Sequence, residues 1–376
     1  MPDTMLRQYQ KHITKFTQRS SSRGIFQRSH TTPTPPVMTR TFPAVCAALT
    51  LFAACSSRDF SDHKPVTNSP VATPTASAPV ASAATQTGTW CAQLPRPANT
   101  ALLSVRTRSD WFHVYEAAPG VFALIESDQF QEAISYLIVG DTAALMFDTG
   151  IGVVPIRPVI EELTKLPVTV VNSHSHYDHV GGNHEFARVL SMDTPFTRMK
   201  MAGRPHDGLA SEVAATSFCH GPPAALDPAT FRSQPWKSSG MIRDGTRIDL
   251  GGRVVEIVGA PGHTPDGIAL LDRANGLLFT GDNFYDSTIW LYSQDTSLDD
   301  YVASMTKLVA LAPQLKQLLP AHNTAKVDPA RLATVLAAMK KLRSGSFTPL
   351  SEERGELTYN VDGVLFLMSK AALAAH

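Results

Sequence analysis

Residues 174–179 read His-Ser-His-Tyr-Asp-His, so four side chains of the kind that bind metal ions lie within six residues. The segment directly follows Val168–Val171, a short apolar run rich in β-branched residues that predicts a buried strand. Imidazole and carboxylate groups together suit Zn²⁺ and similar borderline metals. Gly181 and Gly182 come next and let the backbone turn sharply beside the cluster. The segment therefore predicts a metal site at the end of a strand.

Three further candidate ligands also stand at the ends of predicted strands. His263 follows the run at residues 253–258, Asp282 the run at 276–280, and His322 the run at 315–319. Asp148 ends another predicted strand, at residues 143–147. Strand ends are rigid supports, and ligands placed there converge at one edge of the sheets, as a preorganised site requires.

The chain from residue 90 onward alternates β-rich runs with amphipathic segments. Predicted strands occupy residues 121–125, 134–139, 143–147, 168–171, 253–258, 268–271, 276–280 and 315–319. Predicted helices occupy residues 154–166, 298–311 and 329–342. Two strand-rich runs, each followed by helices, predict a sheet-on-sheet sandwich with helices outside. Residues 191–240 are rich in Pro and Gly and are predicted to be an irregular, functional segment.

The order of these motifs resembles that of the metallo-β-lactamase superfamily. The matching pattern is His-x-His-x-Asp-His, then Gly-His, Gly-Asp and a final His, over roughly residues 115–325. The resemblance implies an α+β fold of the αββα type, in which two mixed β-sheets are flanked by helices. It also implies a metal-dependent hydrolase with two Zn²⁺ or similar divalent ions per domain.

The resemblance assigns a role to each candidate residue. One metal would be held by His174, His176 and His263, and the other by Asp178, His179 and His322, with Asp282 bridging both. Asp148 would orient ligands through hydrogen bonds. The set looks like that of hydroxyacylglutathione hydrolases and lactonases. Broad-spectrum di-zinc β-lactamases differ in having Cys where Asp282 stands, and flavodiiron oxidoreductases have Glu where His176 stands.

The resemblance also implies a reaction. Two metals would share a water and lower its pKa from ~15.7 toward ~7, and the bridging hydroxide would attack an ester, lactone or thioester carbonyl. Asp178 is a catalytic candidate because it can orient the nucleophile or pass a proton. Tyr285 stands where N-acyl-homoserine lactonases have a catalytic Tyr that donates a hydrogen bond to the carbonyl oxygen. The alternative is a Tyr that only packs.

We expect a small, neutral or apolar carbonyl compound as the substrate, and more specifically a lactone. Apolar residues of the irregular segment are available to line a pocket, namely Met192, Phe196, Met199, Met201 and Phe218. A periplasmic metallo-β-lactamase that hydrolyses β-lactam antibiotics is the alternative function. From residue 56 on, 26 Lys and Arg face 32 Asp and Glu, which disfavours a nucleic-acid partner.

The first 89 residues divide by composition into three segments. Residues 1–37 are polar and predict either disorder or a start assigned too far upstream, so that translation begins at Met1 or at Met38. Residues 38–55 combine a short basic start, an apolar run of about 12 residues and the ending Leu-Phe-Ala-Ala-Cys, which predicts a signal peptide. Residues 56–89 are rich in Ser, Ala, Pro and Thr and predict a flexible linker to the hydrolase domain at 90–376.

The ending at Cys55 resembles the lipobox of bacterial lipoproteins, in which the cysteine is acylated. Since Ser56 rather than Asp follows, we expect a periplasmic enzyme tethered to the outer membrane only through this lipid. An ordinary secretory signal with a chance cysteine is the alternative. In an oxidising compartment Cys91 and Cys219 are candidates for a disulfide, although Cys219 as a lone loop thiol fits the sequence equally well.

Overall fold

The structure is a computed structural model and describes residues 90–353 and 355–374. The predictions for residues 1–37, 38–55 and 56–89, including the acylated Cys55, fall outside the described residues and stay predictions. Within the described part of the chain, no helix has the length and apolar character needed to cross a bilayer.

An eight-stranded mixed sheet forms the first layer. Its strands are β1 (Leu103–Ser104), β2 (His113–Ala118), β3 (Val121–Ile125), β4 (Ile134–Val139), β5 (Ala144–Phe147), β6 (Val168–Val171), β7 (Val189–Met192) and β8 (Gly240–Ile242). They lie in chain order, with antiparallel pairs from β1 to β5 and parallel pairs from β5 to β8. The parallel half therefore brings the carboxyl ends of β5 and β6, where Asp148 and His174 follow, to the same edge.

A five-stranded mixed sheet forms the second layer. Its strands are β9 (Arg247–Asp249), β10 (Val254–Gly259), β11 (Ile268–Asp272), β12 (Leu277–Gly281) and β14 (Gln317–Pro320). The order is β14-β12-β11-β10-β9, and only β12 and β14 are parallel. Asp282 and His322, which follow β12 and β14, therefore leave the sheet at neighbouring positions.

A third sheet of four strands was not predicted from the sequence. It contains β13 (Ile289–Leu291), β15 (Ser351–Glu353), β16 (Glu356–Val361) and β17 (Val364–Ser369), in the order β13-β17-β16-β15. Asp362 and Gly363 connect β16 to β17 with φ angles of 53° and 85°. This Asp-Gly pair is a strong hairpin signal because both turn residues need a positive φ, and it could have located the hairpin.

Helices connect the strands, and the three longest pack on the outer faces of the two main sheets. The helices are α1 (Pro97–Thr100), α2 (Arg157–Leu163), α3 (Tyr177–Val180), α4 (Pro195–Lys200), α5 (Leu298–Leu311), α6 (Ala330–Ser344) and α7 (Lys370–Ala374). The predicted helix at residues 154–166 is shorter in the structure. It begins at Arg157, directly before Pro158, which suits a first turn but no later position, and ends before the extended Thr164.

Three buried clusters fix the layer order. One lies between the main sheets, where Tyr136 and Phe147 of the first sheet meet Phe279 of the second. Another joins the outer face of the first sheet to α2. The third joins the outer face of the second sheet to α5, α6 and the third sheet. The predicted αββα arrangement is confirmed, with the third sheet added beside the second helical layer.

A disulfide ties the start of the described chain to the loop between β7 and β8. Cys91 and Cys219 are bonded, with Cα atoms 5.7 Å apart and 128 positions between them in sequence. Beside the bond, Cys219 N–H donates to the Asp128 carbonyl and Phe130 N–H donates to the Ser217 carbonyl. The open question between a disulfide and a lone thiol is thus resolved in favour of the disulfide.

Candidate metal centre

The seven predicted ligands converge at the edge where β6, β12 and β14 end. His174 and His176 follow β6, and α3 carries Asp178 and His179. The other three lie on the loop after β10 and directly after β12 and β14, and are His263, Asp282 and His322. All but His176 are buried, and His176 is partly exposed. Long-range strand pairing, rather than sequence proximity, completes the site.

Glycine shapes the ligand-bearing turn for a different reason from the one predicted. Gly181 and Gly182 have ordinary negative φ angles of −57° and −90°, so neither makes a left-handed turn. A Cβ on Gly181 would lie 2.2 Å from the Ile151 backbone. Close packing of the two loops, not a sharp turn, requires glycine at 181.

Three imidazoles form what we call the first ligand group: His174, His176 and His263. His176 Nδ1 lies 2.9 Å from His174 Nε2 and 3.0 Å from His263 Nε2. The Nδ1–H of His263 donates to the Trp290 carbonyl at 2.8 Å, which leaves its Nε2 lone pair facing the centre. His174 Nδ1 is 3.0 Å from the Ser173 hydroxyl.

A carboxylate and two imidazoles form the second ligand group: Asp178, His179 and His322. Asp178 Oδ2 lies 3.4 Å from His179 Nε2 and 3.8 Å from His322 Nε2. His322 Nδ1–H donates to the Gln131 carbonyl at 2.8 Å. His179 Nδ1–H donates to Asp148 Oδ2 at 3.0 Å. Both rings are therefore turned so that Nε2 faces the centre.

Asp282 stands between the two groups. Its Oδ1 lies 3.2 Å from His322 Nε2 and 3.4 Å from His179 Nε2, whereas its Oδ2 lies 3.5 Å from His263 Nε2. Within the described residues, no donor makes a hydrogen bond to the buried Oδ1. The two carboxylate oxygens thus face different ligand groups.

This arrangement fits two divalent metal ions. Nitrogens bound to one tetrahedral zinc, at ~2.0–2.1 Å each, would lie about 3.3 Å from one another. The nitrogens of the first group are 2.9 and 3.0 Å apart, and His179 Nε2 and His322 Nε2 are 3.3 Å apart. Five imidazoles and two carboxylates are the donor set that zinc-class ions prefer. The unpartnered Asp282 Oδ1 also suits a site built for a cation.

The electrostatics of the two groups differ. Burial lowers the pKa of His174 well below its ordinary value, that of His176 to about 3, and that of His263 as well. Burial would also lower the pKa of His179 and His322, but nearby carboxylates, Asp282 first, outweigh it and raise both. The imidazoles of the first group are therefore neutral at pH 7, which is the form that binds metal. In the second group, the carboxylates around His179 and His322 favour a positive charge at these two rings.

Asp148 lies where the sequence predicts a ligand-orienting residue. Besides accepting from His179, it accepts a hydrogen bond from Ser173 N–H at 2.6 Å. Its φ of 65° lies in the left-handed region that Asp and Asn tolerate better than most residues. One side chain thus fixes both a ring of the second group and the backbone beside His174.

Tyr285 is buried beside the second ligand group. Its ring centroid lies 5.2 Å from that of His322. Its hydroxyl oxygen accepts a hydrogen bond from Trp290 N–H at 2.9 Å, and among the described residues no acceptor takes its hydrogen. Burial, and then the charge of Asp282, raises the pKa of Tyr285 well above its ordinary value, so the hydroxyl keeps its hydrogen.

Several residues that hold the site carry no motif in the sequence. The carbonyls of Gln131 and Trp290 orient His322 and His263, and sequence gives no signal for a backbone acceptor. Glu126 accepts from Ile151 N–H and from Trp111 Nε1–H, both at 2.9 Å, and so holds the loop that follows Asp148. Burial raises the pKa of Glu126 to about 7, although both hydrogen bonds oppose this shift.

The irregular segment contributes less to the mouth of the site than predicted. Phe196 on α4 does approach the centre, with its ring 5.9 Å from that of His176. Phe218 instead packs in the core, 5.9 Å from Trp111. Met199 is 58% exposed. The guanidinium of Arg204 lies 5.2 Å from the ring of Tyr177, the residue before Asp178.

The model of the metallo-β-lactamase superfamily matches residues 133–322, about half of the 376 residues. The chain belongs to the metallo-β-lactamase superfamily. It is a hydrolase of that superfamily, and the matched region contains all seven predicted ligands.

Individual superfamily relatives are distant. The human acyl-coenzyme A thioesterase MBLAC2 is 24% identical over 229 residues, which is 57% of this chain and 81% of that protein. The putative transcription factor avaE of Aspergillus versicolor is 25% identical over 221 residues, 50% of this chain and 61% of that protein. The solved structure of an archaeal metallo-β-lactamase superfamily protein from Sulfolobus tokodaii covers 62% of this chain and 91% of its own, with 20% identity and a TM-score of 0.42.

Proposed function

We propose that the protein is a dinuclear metal hydrolase, with Zn²⁺ or a similar ion in each ligand group, that cleaves a small ester-like carbonyl compound. The observation that carries this proposal is the Asp282 carboxylate, whose two oxygens face the two ligand groups separately. A residue placed in this way would bind both ions. Those ions, when bound, would supply Lewis acidity and lower the pKa of water from ~15.7 toward ~7.

Asp178 is suited to orient the nucleophilic water through a hydrogen bond. Burial opposes ionisation, but the adjacent His179 imidazole outweighs it, and the pKa of Asp178 is lowered to about 2. The carboxylate is therefore ionised at neutral pH and available as an acceptor. An ionised carboxylate within reach of the nucleophile can orient it by accepting a hydrogen bond from it.

Tyr285 is suited to stabilise negative charge on the carbonyl oxygen. Because its own oxygen already accepts from Trp290 N–H, the hydroxyl hydrogen is left to be donated. A donor held in place before the reaction costs no reorganisation when charge develops. This favours the catalytic alternative for Tyr285 over simple packing.

The substrate class is proposed from two kinds of support. The thioesterase activity in the name of MBLAC2 favours a thioester. The offset between Asp282 and Tyr285 resembles that of lactonases, which favours a lactone. Both substrates present an acyl carbon that hydroxide can attack, with a thiolate or an alkoxide as the leaving group, so one panel tests them together.

The test begins with metal analysis of the purified protein and turnover of a thioester, an aryl ester, a lactone and nitrocefin. We expect about two ions per chain and hydrolysis of at least one of the first three compounds. A metal-replete protein holding one ion or none contradicts the dinuclear centre. Turnover of nitrocefin alone would favour the β-lactamase alternative.

Tyr285→Phe then tests the role of the hydroxyl. We expect kcat to fall roughly 10²-fold on the best substrate with unchanged metal content. Tyr301→Phe is a matched control, because Tyr301 is equally buried but its hydroxyl donates to the Asn283 carbonyl at 2.9 Å. Full activity of Tyr285→Phe would mean that the residue only packs.

We also propose that the mature enzyme is lipid-anchored in the periplasm through Cys55. Support comes from the signal-like segment at 38–55 and from the disulfide, a bond typical of oxidising compartments. Cys55→Ser should move the protein from the membrane fraction to the soluble periplasmic fraction. Finding the unaltered protein in the cytoplasm contradicts the proposal.

A further inference from the structure

Asp266 is a buried carboxylate that no motif singled out. It is 3% exposed and lies on the loop between β10 and β11, three positions after His263. Its Oδ2 accepts from the Ser175 hydroxyl at 2.5 Å and from the Thr197 hydroxyl at 2.8 Å. Its Oδ1 accepts from the Thr264 hydroxyl at 2.8 Å. One side chain therefore gathers three hydroxyls from three separate segments.

Each of these segments carries or touches a member of the first ligand group. Ser175 lies between His174 and His176, and Thr264 directly follows His263. Thr197 is next to Phe196, whose ring contacts that of His176. Asp266 thus forms hydrogen bonds with residues next to the three imidazoles, or next to a ring that contacts one of them, and not with the imidazoles themselves.

Asp266 is buried without a cationic partner among the described residues. No lysine or arginine of residues 90–353 or 355–374 forms an ion pair with it, and its partners are hydroxyls alone. Burying a carboxylate costs several kcal/mol unless it is paired or well hydrogen-bonded. The three hydroxyls offset that cost, so the carboxylate serves here to tie together the segments that carry Ser175, Thr197 and Thr264.

We propose that Asp266 is a positioning residue that sets the separation of the three imidazoles in the first ligand group. By fixing Ser175 and Thr264 to one carboxylate, it holds the loop after β6 against the loop after β10 at the spacing that one metal ion needs. This inference rests on the proposed metal centre and adds to it a residue outside the ligand set.

The test uses the metal-free protein titrated with Co²⁺, whose absorption bands report the affinity and geometry of the site. We expect Asp266→Ala to weaken binding about 10–100-fold, the range measured when residues that support metal ligands are removed. Asp266→Asn should retain most of the affinity. Its amide can accept from Ser175 and Thr197 through oxygen and donate to the Thr264 hydroxyl through nitrogen.

Asp272→Ala is the matched control. Asp272 is fully buried at the far end of β11, where it pairs with Arg253 at 3.1 Å and accepts from Asn275. Its removal should lower the melting temperature while leaving the Co²⁺ affinity and spectrum unchanged. If Asp272→Ala weakens Co²⁺ binding as much as Asp266→Ala does, the effect is general destabilisation and the inference is overturned.

Thr264→Val keeps the test usable if Asp266→Ala fails to fold. It removes one of the three hydrogen bonds and should weaken Co²⁺ binding by several-fold. An unchanged affinity in the folded variants would overturn the positioning role alone. A wild-type protein that binds no Co²⁺ would instead overturn the proposed centre, and this inference with it, so the two failures are distinguishable.

Discussion

The two ligand groups of the candidate centre lie side by side, yet they are held in different ways. In the second group, both imidazoles donate directly to fixed acceptors, the Asp148 carboxylate and the Gln131 carbonyl. In the first group, His263 donates to the Trp290 carbonyl, whereas His174 has only the mobile Ser173 hydroxyl beside its Nδ1. The remaining support of the first group comes from Asp266, which is bonded to the neighbours of the ligands rather than to the rings.

This difference predicts that the two ligand groups would bind metal ions separately. The supports of the second group come from the loops after β3 and β5 in the first sheet. The supports of the first group come mainly from the loop after β10, from α4 and from β13. Beside His174, the Ser173 N–H also donates to Asp148. Asp282 alone faces both groups. A substitution should therefore weaken metal binding at one ligand group or at both, depending on which supporting residue it removes.

The largest effect is expected from Asp282→Ala, which removes the carboxylate common to both groups. We expect activity to fall below detection and bound metal to fall from about two ions per chain to one or none. Elemental analysis and turnover of the best substrate measure this. Two ions retained with normal affinity would contradict the bridging role.

A smaller and one-sided effect is expected from Asp148→Asn. Asn tolerates the positive φ at this position, so the backbone should be kept. Loss of the charged acceptor for His179 should weaken metal binding about 10–100-fold at the second group. Stepwise Co²⁺ titration separates the two sites. Equal weakening of both sites would argue against separable groups.

The disulfide should influence stability more than chemistry. The double variant Cys91→Ser, Cys219→Ser opens a link across 128 positions, for which a cost of about 2–5 kcal/mol in the free energy of unfolding is typical. Thermal unfolding, with and without reductant, measures the change. A reductant that destabilises the double variant as much as the wild type would show that the bond is not the cause.

Metal release on heating refines this prediction. The bond lies beside residues 128–131, and the Gln131 carbonyl orients His322. If the second group depends on this segment, the double variant should lose its second-site metal at a lower temperature than the wild type. Loss of the first-site metal before the second would contradict the assignment of this support.

The smallest expected effect is a change in the pH dependence of stability through Glu126. Its pKa is about 7 in the folded chain, against an ordinary value of 4.5. Between these values the folded state binds the proton and the unfolded state does not. The contribution of Glu126 to the free energy of unfolding should therefore fall as pH rises from about 4.5 through about 7, by about 3 kcal/mol, and stay level above.

Glu126→Gln should reduce this slope in the metal-free protein by the share that Glu126 contributes, while His179 and His322, whose pKa values are also raised, continue to titrate. The variant will be less stable overall, because its amide nitrogen cannot accept from Ile151 N–H. The slope of the free energy of unfolding between pH 5 and 8, measured by denaturant titration, is therefore the informative quantity. Identical slopes for wild type and variant would show that another group titrates there.

Much of the fold could be predicted because it depends on local patterns. The strands at 121–125, 134–139 and 168–171 and the helix at 298–311 match the structure residue for residue. Strand ends elsewhere differ by one or two residues. In the third sheet, β13 was missed because it is short and pairs with β17, 77 positions later, so its own sequence carries little signal. The hairpin of β16 and β17 was missed although Asp362-Gly363 signals it.

The candidate ligands could be predicted, but much of their support could not. The ligands repeat a known order of residue types, and the structure brings all seven together. The acceptors for His263 and His322 are backbone carbonyls, which any residue type could supply. Asp266 and Glu126 act through bonds that exist only once distant segments have packed, so their spacing in the sequence indicates nothing.

The main chain of Trp290 serves two parts of the site at once. Its carbonyl accepts from His263, its N–H donates to Tyr285, and its strand pairs with β17 through Leu367. Leu367 lies well beyond residue 322, where the match to the superfamily ends. An engineer who transplanted only the recognised segment would cut β13 off from its partner. The segment that identifies the family is therefore shorter than the segment that the candidate centre needs to keep its geometry.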